Sequence, residues 1–170
     1  YLASLSHKVL VIDADFLRPT LTKNSGLRKS AGFTDLLAGR ATVENSVNMD
    51  DTAHFLPVGN ELSNSPDMLN DIKLQHVLGS LRKYYDFIVI DSGPLMAHSE
   101  AAAIARQAEG IIVVAEWLKT PVKTLENLFS KLDELHANVL GVVLNRVDIG
   151  KYKSISTDSD FLLPKAANAA

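Results

Sequence analysis

Two apolar runs in this chain end in carboxylate. Val9-Leu10-Val11-Ile12 leads into Asp13-Ala14-Asp15, and Phe87-Ile88-Val89-Ile90 leads into Asp91-Ser92-Gly93-Pro94. Each run is short, β-branched and free of polar alternation, which is the pattern of a strand buried on both faces of a parallel sheet. In open parallel sheets, ligands bind outside the carboxyl ends of the strands. If the two strands are neighbours, Asp13, Asp15 and Asp91 face one crevice. Hard oxygen ligands of this kind hold Mg²⁺ beside a nucleotide phosphate. A single Asp after a strand is most simply a turn or a helix cap. The same ending on two separate strands makes a metal–phosphate role the stronger reading, and Asp91 carries it best because DxxP is a strand-end turn with a carboxylate at its tip.

The elements that must position these residues follow from apolar periodicity and turn chemistry. Strands are expected over residues 8–12, 54–57, 86–90, 110–115 and 139–144, and an amphipathic helix over 71–84 with Ile72, Val77, Leu78 and Leu81 on its apolar face. Further helices are expected at 32–38, stopped by Gly39, at 99–107 after Ser99, and at 120–136 with Pro121 at the first position. Pro66 fits the start of a helical turn over Asp67-Met68-Leu69, and residues 1–6 read as the tail of a helix. Residues 18–29 read as a polar loop. Strands alternating with helices define an α/β fold with a mostly parallel sheet and helices on both faces. One domain over residues 1–149 and a mobile tail over 150–170 account for the whole chain.

Composition removes several function classes. A net charge of −3, with no long Lys/Arg block, argues against a nucleic-acid face. The absence of cysteine excludes disulfides and thiolate metal sites. No apolar stretch approaches the roughly 20 residues needed to span a bilayer. The five histidines, at positions 7, 54, 76, 98 and 136, show no metal-ligand spacing. Ser92 is not in a GxSxG elbow, so a hydrolase nucleophile is not expected. Trp117 follows a strand end, where partial core packing is the simplest role.

VLVIDADFLRPTL (9–21) resembles the second nucleotide motif of the bacterial tyrosine kinases, the autokinase domains of capsule and exopolysaccharide co-polymerases. FIVIDSGP (87–94) resembles their third motif. GFTDLLAG (32–39), LPVGNELSNSPDMLN (56–70), YYDFIVIDSGP (84–94) and VLGVVLNRVD (139–148) are similar to other segments of that family, so the likeness is spread over roughly residues 1–150. The wider family of partition and septum-placement ATPases shares the two Asp motifs. The resemblance implies a P-loop-type fold that binds ATP or ADP with Mg²⁺. It implies catalytic roles for Asp13, Asp15 and Asp91, metal binding through Asp13 and Asp91, cofactor contacts from Arg18, and Asn145 and Arg146 beside the adenine. Asn145 could equally be a turn residue. The resemblance also implies a homo-oligomer working with its own or a partner's transmembrane co-polymerase segment, at the cytoplasmic face of the bacterial inner membrane, and no nucleic-acid partner.

Three departures bear on this expectation. The sequence contains no GxxxxGK[ST], the loop whose N–H groups and Lys cradle phosphates. In the family that loop lies upstream of the second motif, so the first strand and loop are expected to be missing by truncation, and these residues alone are expected to be inactive. The family spacing DxDxR puts Leu17 where a cation is usual, with Arg18 one place later. The family tail carries a tyrosine cluster as phosphoacceptor, whereas residues 150–170 hold only Tyr152. A catalytically degenerate assembly module, a partition-type ATPase and a receiver domain therefore stand as alternatives to the autokinase.

Overall fold

The computed structural model describes residues 1–27, 30–50, 53–60, 71–97 and 99–155. The expected turn over Asp67-Met68-Leu69, His98 and the last part of the tail lie outside the described residues.

Among the described residues five strands form: β1 (Val9–Ala14), β2 (His54–Leu56), β3 (Phe87–Ser92), β4 (Ile111–Glu116) and β5 (Val139–Asn145). Their order is β2-β1-β3 in one sheet and β4-β5 in another, and every ladder is parallel. The apolar runs of the sequence become these strands because β-branched side chains pack well on a pleated surface. The longer helices are α4 (Asp71–Leu81), α5 (Ser99–Gln107) and α6 (Val122–Glu134). Four short helices complete the described chain: α1 (Thr20–Asn24), α2 (Phe33–Leu37), α3 (Val43–Ser46) and α7 (Ile149–Ile155). Of these, α1, α3 and α7 are not expected from the sequence; α1 lies within the expected polar loop, and α7 occupies the start of the expected tail. Residues 1–6 contribute only a turn of 3-10 helix at Ala3–Leu5, closed by Ser6 in the left-handed conformation.

The main core lies around β1. Leu10 and Ile12 pack with Leu56 from β2, Phe33 and Leu37 from α2, Leu74, Leu78 and Leu81 from α4, and Ile104 from α5. A smaller cluster of Ala105, Val113 and Leu132 lies between α5, β4 and α6. Helix α5 therefore faces both clusters, Ile104 toward the first and Ala105 toward the second. Arg106 grips Asp71 of α4 through two hydrogen bonds of 2.9 and 3.2 Å. The pair is exposed, so packing rather than charge carries this junction.

Burial differs from the expectation for β3, β4 and β5. In β4, Val113 and Ala115 are buried while Ile112 and Val114 are exposed; in β3, Phe87 and Val89 are exposed. Leu140, Val142, Val143 and Leu144 of β5 are also exposed. A continuous apolar run is buried on both faces only when both faces are covered, and among the described residues only β1 has that cover.

Segments 32–37 and 56–60 are locked together. Phe33 N–H donates to the Pro57 carbonyl (2.8 Å) and Thr34 N–H to the Val58 carbonyl (2.9 Å). The Asp35 carboxylate accepts from Gly32 N–H and Asn60 N–H, both at 3.1 Å, and pairs with Arg40. A Cβ on Gly32 would run into the Pro57 carbonyl and the Gly59 backbone, so the close approach requires glycine there. Gly59 has φ of +108°, and a side chain would also meet Thr34 and Asp35.

Candidate functional site

The two Asp-ended strands are neighbours. β1 and β3 pair in parallel with Asp13 opposite Asp91 and Ala14 opposite Ser92. Adjacent strands lie about 4.8 Å apart, so both carboxylates leave the same end of the sheet side by side. Loss of solvent, followed by the charges of Asp13 and Asp15, raises the Asp91 pKa above its ordinary 3.8. Asp13 and Asp15 thus act electrostatically on Asp91, as the strand-end pattern predicts.

Asp13 has no solvent-exposed surface. Its Oδ1 accepts from Asp15 N–H (3.2 Å) and its Oδ2 from Thr22 N–H (2.8 Å). Each carboxylate oxygen thus has a backbone donor in place of the water it has lost. Asp15 is partly buried, and its Oδ1 accepts from Leu17 N–H (3.2 Å) and Arg18 N–H (2.9 Å), an Asx-type turn that bends the chain out of β1. The Leu17 and Arg18 side chains are exposed.

Asn145 and Arg146 sit at the end of the other sheet. Asn145 ends β5 in register with Glu116, the last residue of β4, and its carbonyl accepts from Trp117 N–H (3.0 Å). The Asn145 side-chain oxygen accepts from Arg146 N–H (2.9 Å), and its NH₂ has no hydrogen-bond partner among the described residues. Arg146 has φ of +59° and pairs with Glu116 at 3.3 Å; Lys119 pairs with the same carboxylate at 3.1 Å. Hydrogen bonding from Lys119 first, then from Arg146, holds Glu116 below the usual carboxylate range. Tyr152 of α7 places its ring 6.2 Å from that of Trp117.

The structure thus brings Asp13, Asp15 and Asp91 together, with the Arg18 backbone beside them, and brings Asn145, Arg146 and Tyr152 to the end of the β4-β5 pair. Thr22 and Glu116 are the residues that sequence reasoning misses. Glu116 ends an apolar run just as Asp13 and Asp91 do, a signal present in the sequence. Thr22 has no such signal, because its link to Asp13 arises only when α1 folds back on β1.

Among the described residues, no group of three or more His, Asp or Glu side chains is arranged to hold a metal ion directly. Mg²⁺ usually keeps several waters and takes one or two carboxylates plus substrate phosphates. The crowding of negative charge around Asp91, which stands beside Asp13 and Asp15, fits a cation of that type. Also among the described residues, no helix is long and apolar enough to cross a membrane.

Known proteins share the sequence and the fold of this chain. The AAA domain family model matches residues 1–145. The chain is 32% identical over 165 residues to the succinoglycan biosynthesis transport protein ExoP of Rhizobium meliloti, covering 89% of this chain and 20% of ExoP. It is 27% identical to the putative tyrosine-protein kinase CapB of Staphylococcus aureus, covering 89% of this chain and 68% of CapB. The VpsO kinase domain superposes with a TM-score of 0.80 at 30% identity, covering 86% of this chain and 73% of that one. The cell division protein MinD of Aquifex aeolicus, at 23% identity and a TM-score of 0.72, shares the fold. A parallel α/β architecture with carboxylates at its strand ends is that of the P-loop ATPase class. Within that class, the chain belongs to the AAA domain family and to its bacterial tyrosine-kinase branch, whose members include a succinoglycan biosynthesis transport protein and several tyrosine-protein kinases. It spans about a fifth of the length of ExoP and of the EpsB kinase of Ralstonia solanacearum.

Proposed function

We propose that this chain is part of an ATP-dependent protein-tyrosine autokinase acting in exopolysaccharide or capsule production. The observation that carries the reading is the in-register pair Asp13–Asp91 at the carboxyl ends of adjacent parallel strands. A bound Mg²⁺ would supply charge neutralisation at the phosphates. Asp13 and Asp91 would hold it through its water shell, and Asp15 shapes the turn beside them. Arg18 contributes a phosphate contact, while Asn145 offers its NH₂ to the base edge with Arg146 alongside. Tyr152 is the acceptor this sequence offers beyond β5. The kinase assembles with copies of itself and with a transmembrane co-polymerase segment at the cytoplasmic face of the inner membrane.

The exposed Leu17, at the position where the resemblance implies a cation, favours a second reading. There, the fold persists as an assembly module without turnover. Two measurements separate the readings. Calorimetric titration of Mg-ATP into the 170-residue chain is expected to give weak binding or none, because no phosphate nest is present. In the whole protein, Asp91→Asn is expected to lower phosphotyrosine formation by about 10²-fold or more, the scale for losing one charge-stabilising group, while leaving the melting temperature nearly unchanged. A whole protein that forms no phosphotyrosine with Mg-ATP would establish the assembly module instead.

A further inference from the structure

Asp13 is held by a residue that belongs to neither Asp motif. Thr22, on α1, is itself buried, with 1% of its surface exposed. Its N–H donates to Asp13 Oδ2 at 2.8 Å, and its hydroxyl oxygen accepts from Val58 N–H at 2.9 Å. Val58 follows β2 and is buried as well. The Val58 carbonyl takes the Thr34 N–H, so the chain of bonds runs from Asp13 through Thr22 and Val58 into α2. Asp35 closes the far side by binding Gly32 N–H and Asn60 N–H. The tightly packed segments 32–37 and 56–60 are therefore tied to the carboxylate itself through the Thr22 hydroxyl, beside the β1–β2 ladder that ends at Ile12 and Leu56.

We infer that Thr22 is a positioning residue for Asp13. Its hydroxyl anchors the backbone N–H that fixes Oδ2, and so sets the carboxylate beside Asp91 from the loop after β2. A buried N–H that loses its acceptor must find another or shift. Without the hydroxyl, Val58 N–H is in that position and α1 loses its attachment to the β2 side. The inference rests on the cation-binding role of Asp13 and Asp91 proposed above, but its first readout does not depend on a cation.

The test uses the 170-residue chain with Thr22→Val, which keeps shape and loses the acceptor, and Thr22→Ser, which keeps it. Amide proton shifts at position 22 and at Asp15, the two donors to Asp13, report the carboxylate geometry directly. Both are expected to move toward random-coil values in Thr22→Val and to stay at wild-type values in Thr22→Ser, with both variants still melting cooperatively. Unmoved amides in Thr22→Val, with faster exchange at Val58 alone, would overturn the inference by making Thr22 a purely structural link. Mn²⁺ then serves as the cation probe. Broadening of resonances around Asp13 and Asp91 is expected to need about tenfold more Mn²⁺ in Thr22→Val than in wild type, with Thr22→Ser restoring the wild-type response. Equal Mn²⁺ response in wild type and Thr22→Val would also count against it. No broadening in wild type would count against the cation reading itself, and the amide shifts would still decide the role of Thr22.

Discussion

β1 and β4 are both six-residue strands of branched apolar side chains, yet Leu10 and Ile12 of β1 have no exposed surface while Ile112 and Val114 of β4 are 60% and 63% exposed. The difference is not in the strands but in what covers them. β1 has a strand on each edge and helices α2 and α4 packed near it. β4 pairs with β5 on one edge, and the described residues cover one of its faces through α5 and α6. The comparison separates two properties that a sequence merges. An apolar run specifies a strand, and only neighbours specify how much of it leaves water. The site divides along the same line, with Asp13 sealed inside the covered half and the Glu116–Arg146–Lys119 group at the surface of the other.

Leu10→Ala gives the sharpest test. Truncating a side chain with no exposed surface in a well-packed core is expected to cost about 2–5 kcal/mol, measured by urea unfolding. The matching change on the open face, Val114→Thr, is expected to lie within about 0.5 kcal/mol of wild type. A cost for Val114→Thr as large as that for Leu10→Ala would break the comparison, because it would mean that this face is covered in solution, and sedimentation at several concentrations would then reveal self-association.

The smallest effect concerns Glu116. Its folded pKa lies below its ordinary 4.5, so the stabilisation it gives is present above that value and is lost as pH falls through the lowered folded value. The difference in melting temperature between wild type and Glu116→Gln is therefore expected to be constant near neutrality and to shrink toward zero in acid. A difference that persists at the acid end would assign the effect to packing of the side chain instead of its charge.

The strands and the three longer helices are legible in the sequence because β-branched runs and the spacing of Val77, Leu78 and Leu81 are local signals, although Leu74 and not the expected Ile72, which is 79% exposed, completes the buried face of α4. The Asp13–Asp91 neighbourhood is legible for the same reason, since two strands ending alike point to one end of a sheet. α1 and α3 are not, because helices this short are made by tertiary contacts and have too few residues to show a period. The role of GFTDLLAG is visible only as a resemblance until the structure shows why Gly32 and Gly59 must meet. Thr22 is not legible at all, since its hydrogen bonds to Asp13 and Val58 join positions that only the folded chain brings together.

The parallel topology also bears on the order in which the halves can assemble. β1 and β3 meet across roughly 80 residues of chain, whereas β4 and β5 meet across roughly 30, so loop-closure entropy favours the second pair by about 0.9 kcal/mol. Proteins dominated by distant pairings fold slowly for this reason. The half that contributes least to the buried core is thus the half whose chain ends find each other most readily, and the strand that carries Asp13 must wait for residues far along the sequence before its ladder is complete.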